Sequence, residues 1–464
     1  MDRNSAWGEY TPQALTELNE LNEKYKEFLT RGKTERECVR LAVDMAREQG
    51  YEDLQDYIAK GECPAPGARL YAVGMDKMIA MFRLGAQPVS AGMNILGAHI
   101  DSPRLDVKQN PLYESEDMAY LDTHYYGGIK KYQWVTIPMA IHGVVARKDD
   151  SVIDVNIGEN ADDPVFVFTD LLIHLAQKQM QKNAATVVEG EKLDLLIGNR
   201  PIDSTELKDD EKATVKANIL AILKDKYGMD EEDFLSAELE IVPAGGARDC
   251  GLDRSMIMSY GQDDRVCAYT SLQAMLDVTE TERTSCCLLV DKEEIGSVGA
   301  TGMQSRFFEN IVAELIALTE GESDLKVRRA LQNSRMLSSD VSAAYDPLYS
   351  DVFEKRSAAL MSKGISFNKF TGARGKSGSN DANAEYLGRL RRVMDDNGVR
   401  FQITELGKVD AGGGGTIAYI MGNYGMEVID SGVAVLNMHA PYEISSKADV
   451  YEAYKCYKAF LINM

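Results

Sequence analysis

The sequence has little of what marks a membrane, secreted or nucleic-acid-binding protein. No uninterrupted apolar run is long enough to span a bilayer, and the opening MDRNSAWGEY has no apolar core of a secretory signal. Lys and Arg number 51 against 73 Asp and Glu, which gives a net charge of −22 and excludes the basic surface that phosphate contacts require. We therefore expect a cytoplasmic protein that binds neither nucleic acid nor membrane.

Cysteine is also scarce and unpatterned. The chain has seven cysteines, an odd number, and none of them forms a Cys-x-x-Cys pair. A disulfide framework and a thiolate zinc site are therefore excluded, and reduced thiols in the core are expected.

The chain has 464 residues, a length that suits two or three domains. Its regions differ in composition and in hydrophobic pattern. Residues 11–60 repeat apolar positions at helical spacing, and beyond residue 250 strand-like runs alternate with helical ones, which predicts an α/β domain with a mainly parallel sheet. Residues 109–250 are instead rich in β-branched and aromatic residues and in turn signals. We predict one discontinuous α/β domain, residues 1–108 and 251–464, interrupted by a β-rich insert.

Potential metal ligands follow four apolar runs of the predicted α/β domain. In open α/β sheets, ligands bind outside the carboxyl ends of the strands, so these side chains could converge on one pocket. A further carboxylate, Asp264, precedes a helical pattern in GQDDRVCAY. The residues at the strand ends are His99 and Asp101, Glu293 and Glu294, Asp340, and His439.

Imidazole and carboxylate ligands without thiolate suit Zn, Mn or Co at a hydrolytic centre. One bridging carboxylate would allow two divalent metal ions to share a water and polarise a scissile carbonyl. One of the adjacent residues Glu293 and Glu294 would be a ligand and the other the general base. Asp101 would accept the second ring N–H of His99 and fix its orientation.

Five motifs in this order carry a family resemblance: GAHIDSPRLDVK, GQDDRVCAYTSL, DKEEIGSVGATG, SSDVSAAYDP and MHAPYE. Together they closely resemble the M18 family of metalloaminopeptidases, which includes aspartyl aminopeptidase, over nearly the whole chain. The resemblance implies an α/β dinuclear-metal peptidase domain, with zinc as the expected metal, that is interrupted by a dimerisation domain. Position by position, it implies Asp264 as the bridge, Glu293 as the base, and two pairs of further ligands, His99 with Asp340 and Glu294 with His439.

The same resemblance implies a homo-oligomer in which dimers assemble into a tetrahedral dodecamer. The family's IHL segment is similar to residues 173–175 here, so His174 is expected to reach a neighbouring subunit's active site and stabilise the developing oxyanion. The substrates implied are peptides, cleaved at the N-terminal peptide bond.

Specificity stays open at this point. Lys369, Arg374 or Lys376 could bind an acidic N-terminal residue, or each could be a solvated loop charge. The glycine-rich DAGGGGT lacks the ending of a phosphate loop, and we interpret Gly413 as a close backbone approach to the substrate terminus. Two other functions compete with an aminopeptidase: a metal-dependent hydrolase of amides such as N-acyl amino acids, and a non-catalytic assembly protein with a vestigial metal site.

Overall fold

The computed structural model describes residues 4–203, 212–372 and 374–464. These residues cluster into two compact units. The first contains Met1–Ser102, Ala247–Met438 and Glu443–Met464, and the second contains Pro103–Gly246 and His439–Tyr442. The sequence predicts domain boundaries after residues 108 and 250, whereas the second unit begins at Pro103 and its main segment ends at Gly246.

A nine-stranded mixed sheet forms the centre of the first unit. Its strands, in spatial order, are β1 (Glu52–Asp53), β2 (Arg69–Gly74), β3 (Met78–Arg83), β14 (Thr284–Val290), β4 (Met93–His99), β15 (Arg335–Ser339), β19 (Glu427–Gly432), β17 (Ile365–Asn368) and β18 (Phe401–Thr404). The four central strands β14, β4, β15 and β19 run parallel to one another. Their carboxyl ends therefore lie at one edge of the sheet.

Both faces of this sheet are covered, because successive side chains of its central strands enter two separate apolar clusters. Cys287 and Leu289 of β14 pack on one face, whereas Cys286 and Leu288 pack on the other. This alternation explains why β14 is apolar at nearly every position, as strands buried on both faces are.

Helices supply the covering layers. The described residues contain α1 (Pro12–Arg31), α2 (Glu35–Glu48), α3 (Leu54–Lys60), α4 (Val215–Tyr227), α5 (Gln262–Asp277), α6 (Phe307–Glu320), α7 (Asp324–Asn333), α8 (Ala384–Asp396), α9 (Ala418–Gly422) and α10 (Lys447–Asn463). A capping box formed by Thr34 and Glu37 begins α2, so local sequence sets this boundary. None of the helices within these described residues is long and apolar enough to cross a bilayer.

The second unit is built on a seven-stranded antiparallel sheet. Its strands, in spatial order, are β8 (Val152–Ile157), β7 (Met139–Ala146), β11 (Ala237–Pro243), β5 (Arg104–Ser115), β6 (Met118–Tyr126), β10 (Leu195–Gly198) and β9 (Val167–Phe168). The strand-forming composition of residues 109–250 therefore agrees with the strands that this unit contains.

A separate five-stranded sheet in the first unit contains β12 (Arg248–Cys250), β13 (Met256–Ser259), β21 (Glu443–Ser446), β20 (Ala434–Leu436) and β16 (Ser342–Ala343). The apolar run VAVLNM predicts a strand of the main parallel sheet, but its strand β20 pairs in this small sheet. The place in the main sheet belongs to β19, just upstream in the chain. A short apolar run indicates a strand and does not say which sheet it joins.

Candidate metal and catalytic site

Three adjacent parallel strands bring the predicted site residues of the first unit to one edge of the main sheet. His99 is the last residue of β4, and Asp340 directly follows β15. Glu293 and Glu294 lie in a 3-10 turn, Glu293–Ile295, just beyond β14. Because β14, β4 and β15 are neighbours, these four side chains come from adjoining positions at the sheet edge.

Two positions in the turn after β14 favour glycine, one because of its backbone conformation and one because of the space available. Gly296 has a φ of 95°, in the left-handed region that side chains disfavour. At Gly302, a Cβ would collide with the backbone of Ser297. The glycines of this turn thus let the chain fold back tightly while Glu293 and Glu294 stay at the strand end.

A further carboxylate at this place is that of Asp263, in the first turn of α5. Ligand atoms of His99, Asp263 and Asp340 all lie within 4.8 Å of one another. His99 Nε2 is 3.3 Å from Asp263 Oδ1 and 4.0 Å from Glu293 Oε2. This group of imidazole and carboxylate oxygens has the composition and the spacing to hold a divalent metal ion.

Asp264, the predicted bridging residue, lies elsewhere. Its carboxylate is fully buried and belongs to neither group of converging ligand atoms, and burial raises its pKa well above the usual range. Asp263 takes the position that the sequence interpretation gave to Asp264. The start of α5 is irregular, with a ψ of 107° at Asp263, so helical spacing cannot tell which of two neighbouring aspartates faces the strand ends.

Asp101 holds two parts of the site in position. The Nδ1 atom of His99 lies 3.0 Å from the Asp101 carbonyl oxygen and 3.3 Å from its Oδ1. The two carboxylate oxygens accept the backbone N–H groups of Glu293, at 3.1 Å, and Glu294, at 3.2 Å. Asp101 is fully buried, and it fixes the His99 ring and the glutamate turn at once.

Charge is concentrated at this edge of the sheet. Burial would lower the pKa of His99, but Asp101, Asp263 and Glu293 raise it well above its usual value. The pKa of Asp340 is raised well above its usual value by burial and by the charge of Glu293. Both shifts show a strongly negative local potential, which a bound cation would offset.

Two further acids support the site and were not singled out in the sequence. Glu443, which is buried, accepts the backbone N–H of Asp263 at 2.9 Å and holds the start of α5. Asp430 in β19 is buried, and its Oδ1 accepts the hydroxyls of Ser338, at 3.2 Å, and Thr416, at 2.5 Å. Burial raises the pKa of Asp430 to about 7. Their role comes from strand pairing, which no local sequence pattern reveals.

The other predicted residues lie on other segments of the chain. His439 and His174 belong to the second unit, where His439 Nδ1 lies 2.8 Å from the Gly128 carbonyl oxygen. His174 lies exposed in the 3-10 turn Ile173–Leu175. Lys369 directly follows β17, Lys376 lies in the loop after it, and Gly413, with a φ of 138°, lies in the glycine-rich loop before α9.

Known proteins resolve which family this architecture belongs to. A model of the aminopeptidase I zinc metalloproteases, M18, matches residues 28–461. The chain belongs to the M18 family. A probable M18 family aminopeptidase 1 of Clostridium acetobutylicum is 57% identical to it, with 99% of this chain and 98% of that protein covered.

Solved structures of M18 aminopeptidases agree with this fold. The crystal structure of an M18 aminopeptidase from Thermotoga maritima has a TM-score of 0.94 and 42% identity, with both chains fully covered. The S. cerevisiae mApe1 dodecamer, at 19% identity, shares the fold with a TM-score of 0.75 and covers 96% of this chain. As a member of the M18 family, this chain is a metallo-aminopeptidase, a peptide hydrolase.

Proposed function

We propose that this M18 member is a dinuclear aminopeptidase in which Asp263 would be the ligand shared by two divalent metal ions, with zinc as the proposed metal. His99 and Asp340 would complete the site of one ion, and Glu294 and His439 that of the other. The observation that supports this best is the convergence of His99, Asp263 and Asp340 within 4.8 Å. The assignment of His439 rests on the family resemblance of MHAPYE and on its position directly after Met438 of the first unit.

When bound, such ions would polarise the scissile carbonyl and lower the pKa of a water molecule. In our proposal Glu293 takes the proton from the attacking water and passes it to the leaving amine. Its side chain is 16% exposed and its Oε2 is 4.0 Å from His99 Nε2. Glu293 therefore lies beside the ligand group and is partly accessible to solvent. Asp101 acts as a positioning residue, because it holds the backbone of Glu293 and the ring of His99 and is itself closed to substrate.

We further propose that the active form is a homo-oligomer of dimers, a dodecamer, and that His174 completes a neighbouring subunit's site. Exposed apolar residues surround His174: Leu172 is 54% exposed, and Ile173 and Leu175 are each 68% exposed. Apolar clusters of this kind on a surface mark sites of protein association. A histidine at their centre would be carried into the contact with another copy.

The cytoplasm is the proposed location. All seven cysteines are free thiols, and five of them are buried. Reduced core thiols are typical of proteins that stay in a reducing compartment.

The proposed activity is tested with a peptide that carries a free N-terminus and with its N-acetylated form. We expect release of the first amino acid from the free peptide only, loss of activity in a strong chelator, and recovery on addition of Zn, Mn or Co. Cleavage of N-acyl amino acids instead would support the alternative amide hydrolase. Full activity after metal removal, verified by elemental analysis, would contradict the metal mechanism, and no turnover with any metal would favour a vestigial site.

A further inference from the structure

The loop after β17 contains two lysines that converge on one carboxylate. Lys369 Nζ lies 3.2 Å from Asp381 Oδ1, and Lys376 Nζ lies 2.8 Å from Asp381 Oδ2. The three side chains are between 39% and 45% exposed, so a molecule arriving from solvent can reach them. Each carboxylate oxygen of Asp381 thus has an ammonium group of its own.

This loop borders the segment that carries Asp340. The Nδ2 group of Asn368, the residue before Lys369, donates to Ser342 Oγ at 2.7 Å, and Ser342 lies two residues beyond Asp340. On its other side, the Thr371 carbonyl accepts the N–H of Gly414 in the glycine-rich loop at 3.2 Å. The loop therefore connects the carboxyl end of β15 to the glycine-rich segment predicted to lie near the substrate terminus.

A cavity of about 220 Å³ lies between the lysine loop and residues 405–412. Phe370, Leu406 and Val409 are among its lining residues. Lys376 also lines it and stacks its ammonium 4.0 Å from the centre of the Phe370 ring. Arg374, Lys408 and Glu405 also line it, so the pairing of each lysine decides how much positive charge an arriving side chain meets.

An acidic substrate side chain would meet unfavourable electrostatics here. Its carboxylate would have to share Lys369 and Lys376 with Asp381, and two carboxylates at one site repel each other. Ion pairs as exposed as these add little to stability, so their main consequence is the charge that they present to a ligand.

We propose that Asp381 is a specificity-determining residue: it neutralises Lys369 and Lys376, and it shifts the preference of the site from acidic toward neutral N-terminal residues. This inference rests on the proposed aminopeptidase function and names the substrate class within it.

The test compares kcat/KM for leucyl and aspartyl p-nitroanilides in the metal-loaded wild type and in Asp381→Asn. We expect the ratio of aspartyl to leucyl activity to rise about tenfold in Asp381→Asn, because the variant removes a negative charge beside the two lysines. The double variant Asp381→Asn/Lys369→Gln should lose most of that rise. The matched control is Asp396→Asn, at the exposed end of α8, where the ratio should stay at the wild-type value.

Binding of leucine hydroxamate and aspartate α-hydroxamate to the same metal-loaded proteins, measured by calorimetry, separates this inference from the proposed activity. A shift toward the aspartate compound in Asp381→Asn would support the inference even if no anilide were cleaved. Leucyl hydrolysis with the same ratio in Asp381→Asn as in wild type would overturn the inference and leave the aminopeptidase function standing. An equal rise in Asp396→Asn would also overturn it, since the effect would then come from net charge alone.

Discussion

At the scale of single residues, the site depends on which of two neighbouring aspartates faces the strand ends. Asp263 lies with His99 and Asp340, whereas the buried carboxylate of Asp264 lies outside that group. The two residues have the same chemistry and are adjacent in sequence. Only the irregular first turn of α5 separates their surroundings.

This arrangement predicts opposite outcomes for the two Asp→Asn variants. Asp263→Asn should lose bound metal, because the proposed bridge would be missing one charged oxygen. Asp264→Asn should keep the wild-type metal content, since its carboxylate lies outside the ligand group. Elemental analysis after dialysis measures both, and a metal-depleted Asp264→Asn beside a metal-replete Asp263→Asn would restore Asp264 as the bridge.

Glu293→Gln tests the general base. We expect kcat to fall about 10²–10⁴-fold, because glutamine cannot take up the proton of the attacking water. The metal content should stay at the wild-type value, since Glu293 is assigned to proton transfer and Glu294 to coordination. Loss of metal in Glu293→Gln would show that Glu293 is a ligand.

At the scale of secondary-structure elements, one carboxylate connects a strand with two helices. Asp249 in β12 lies 2.8 Å from both Lys26 of α1 and Lys447 of α10, and its Oδ2 accepts Arg254 at 2.7 Å. Burial alone would raise the pKa of Asp249, but these cations lower it well below its usual value. The cluster ties the first and last helices of the chain to the small sheet.

Asp249→Asn should therefore destabilise the protein in a pH-dependent way. A depressed pKa in the folded state contributes stability above the unfolded pKa of about 4 and loses it as the pH falls toward the folded pKa. We expect a loss of about 2 kcal/mol at pH 7, between the values for exposed and buried ion pairs. Urea unfolding from pH 8 to pH 3 should show a constant difference from wild type that shrinks below about pH 4. A difference that grows in acid would contradict the assignment.

At the scale of the whole molecule, the proposed site needs a second copy of the chain. His174→Ala should lower kcat about 10²–10³-fold, the usual effect of removing one oxyanion donor. Metal content and assembly should stay unchanged. Activity should return in part when His174→Ala and Glu293→Gln subunits assemble together, because some sites would combine an intact Glu293 with a neighbour's intact His174.

Mixed oligomers can be purified through two different tags and compared with each variant alone. Mixed oligomers with no more activity than the separate variants would count against action in trans. The matched control is His124→Ala, another exposed histidine of the second unit, which by itself should leave activity near the wild-type value.

The sequence by itself was enough for the family, the fold class and the strands that end in candidate ligands. His99, Asp340 and the Glu293–Glu294 pair follow runs that are apolar because β4, β14 and β15 are buried on both faces, and burial leaves a clear local pattern. The same pattern separates the α/β unit from its β-rich insert.

Only the tertiary structure decided what depends on pairing between distant segments. It placed β19 instead of β20 in the main sheet, Asp263 instead of Asp264 beside His99, and Asp381 between two lysines. Hydrophobic periodicity predicts how deeply each residue is buried. It does not identify the strand, helix end or loop that the residue contacts. Those partners are set by long-range packing, so the grouping of Asp263 with His99 and the pairing of Asp381 with two lysines became visible only in the folded chain.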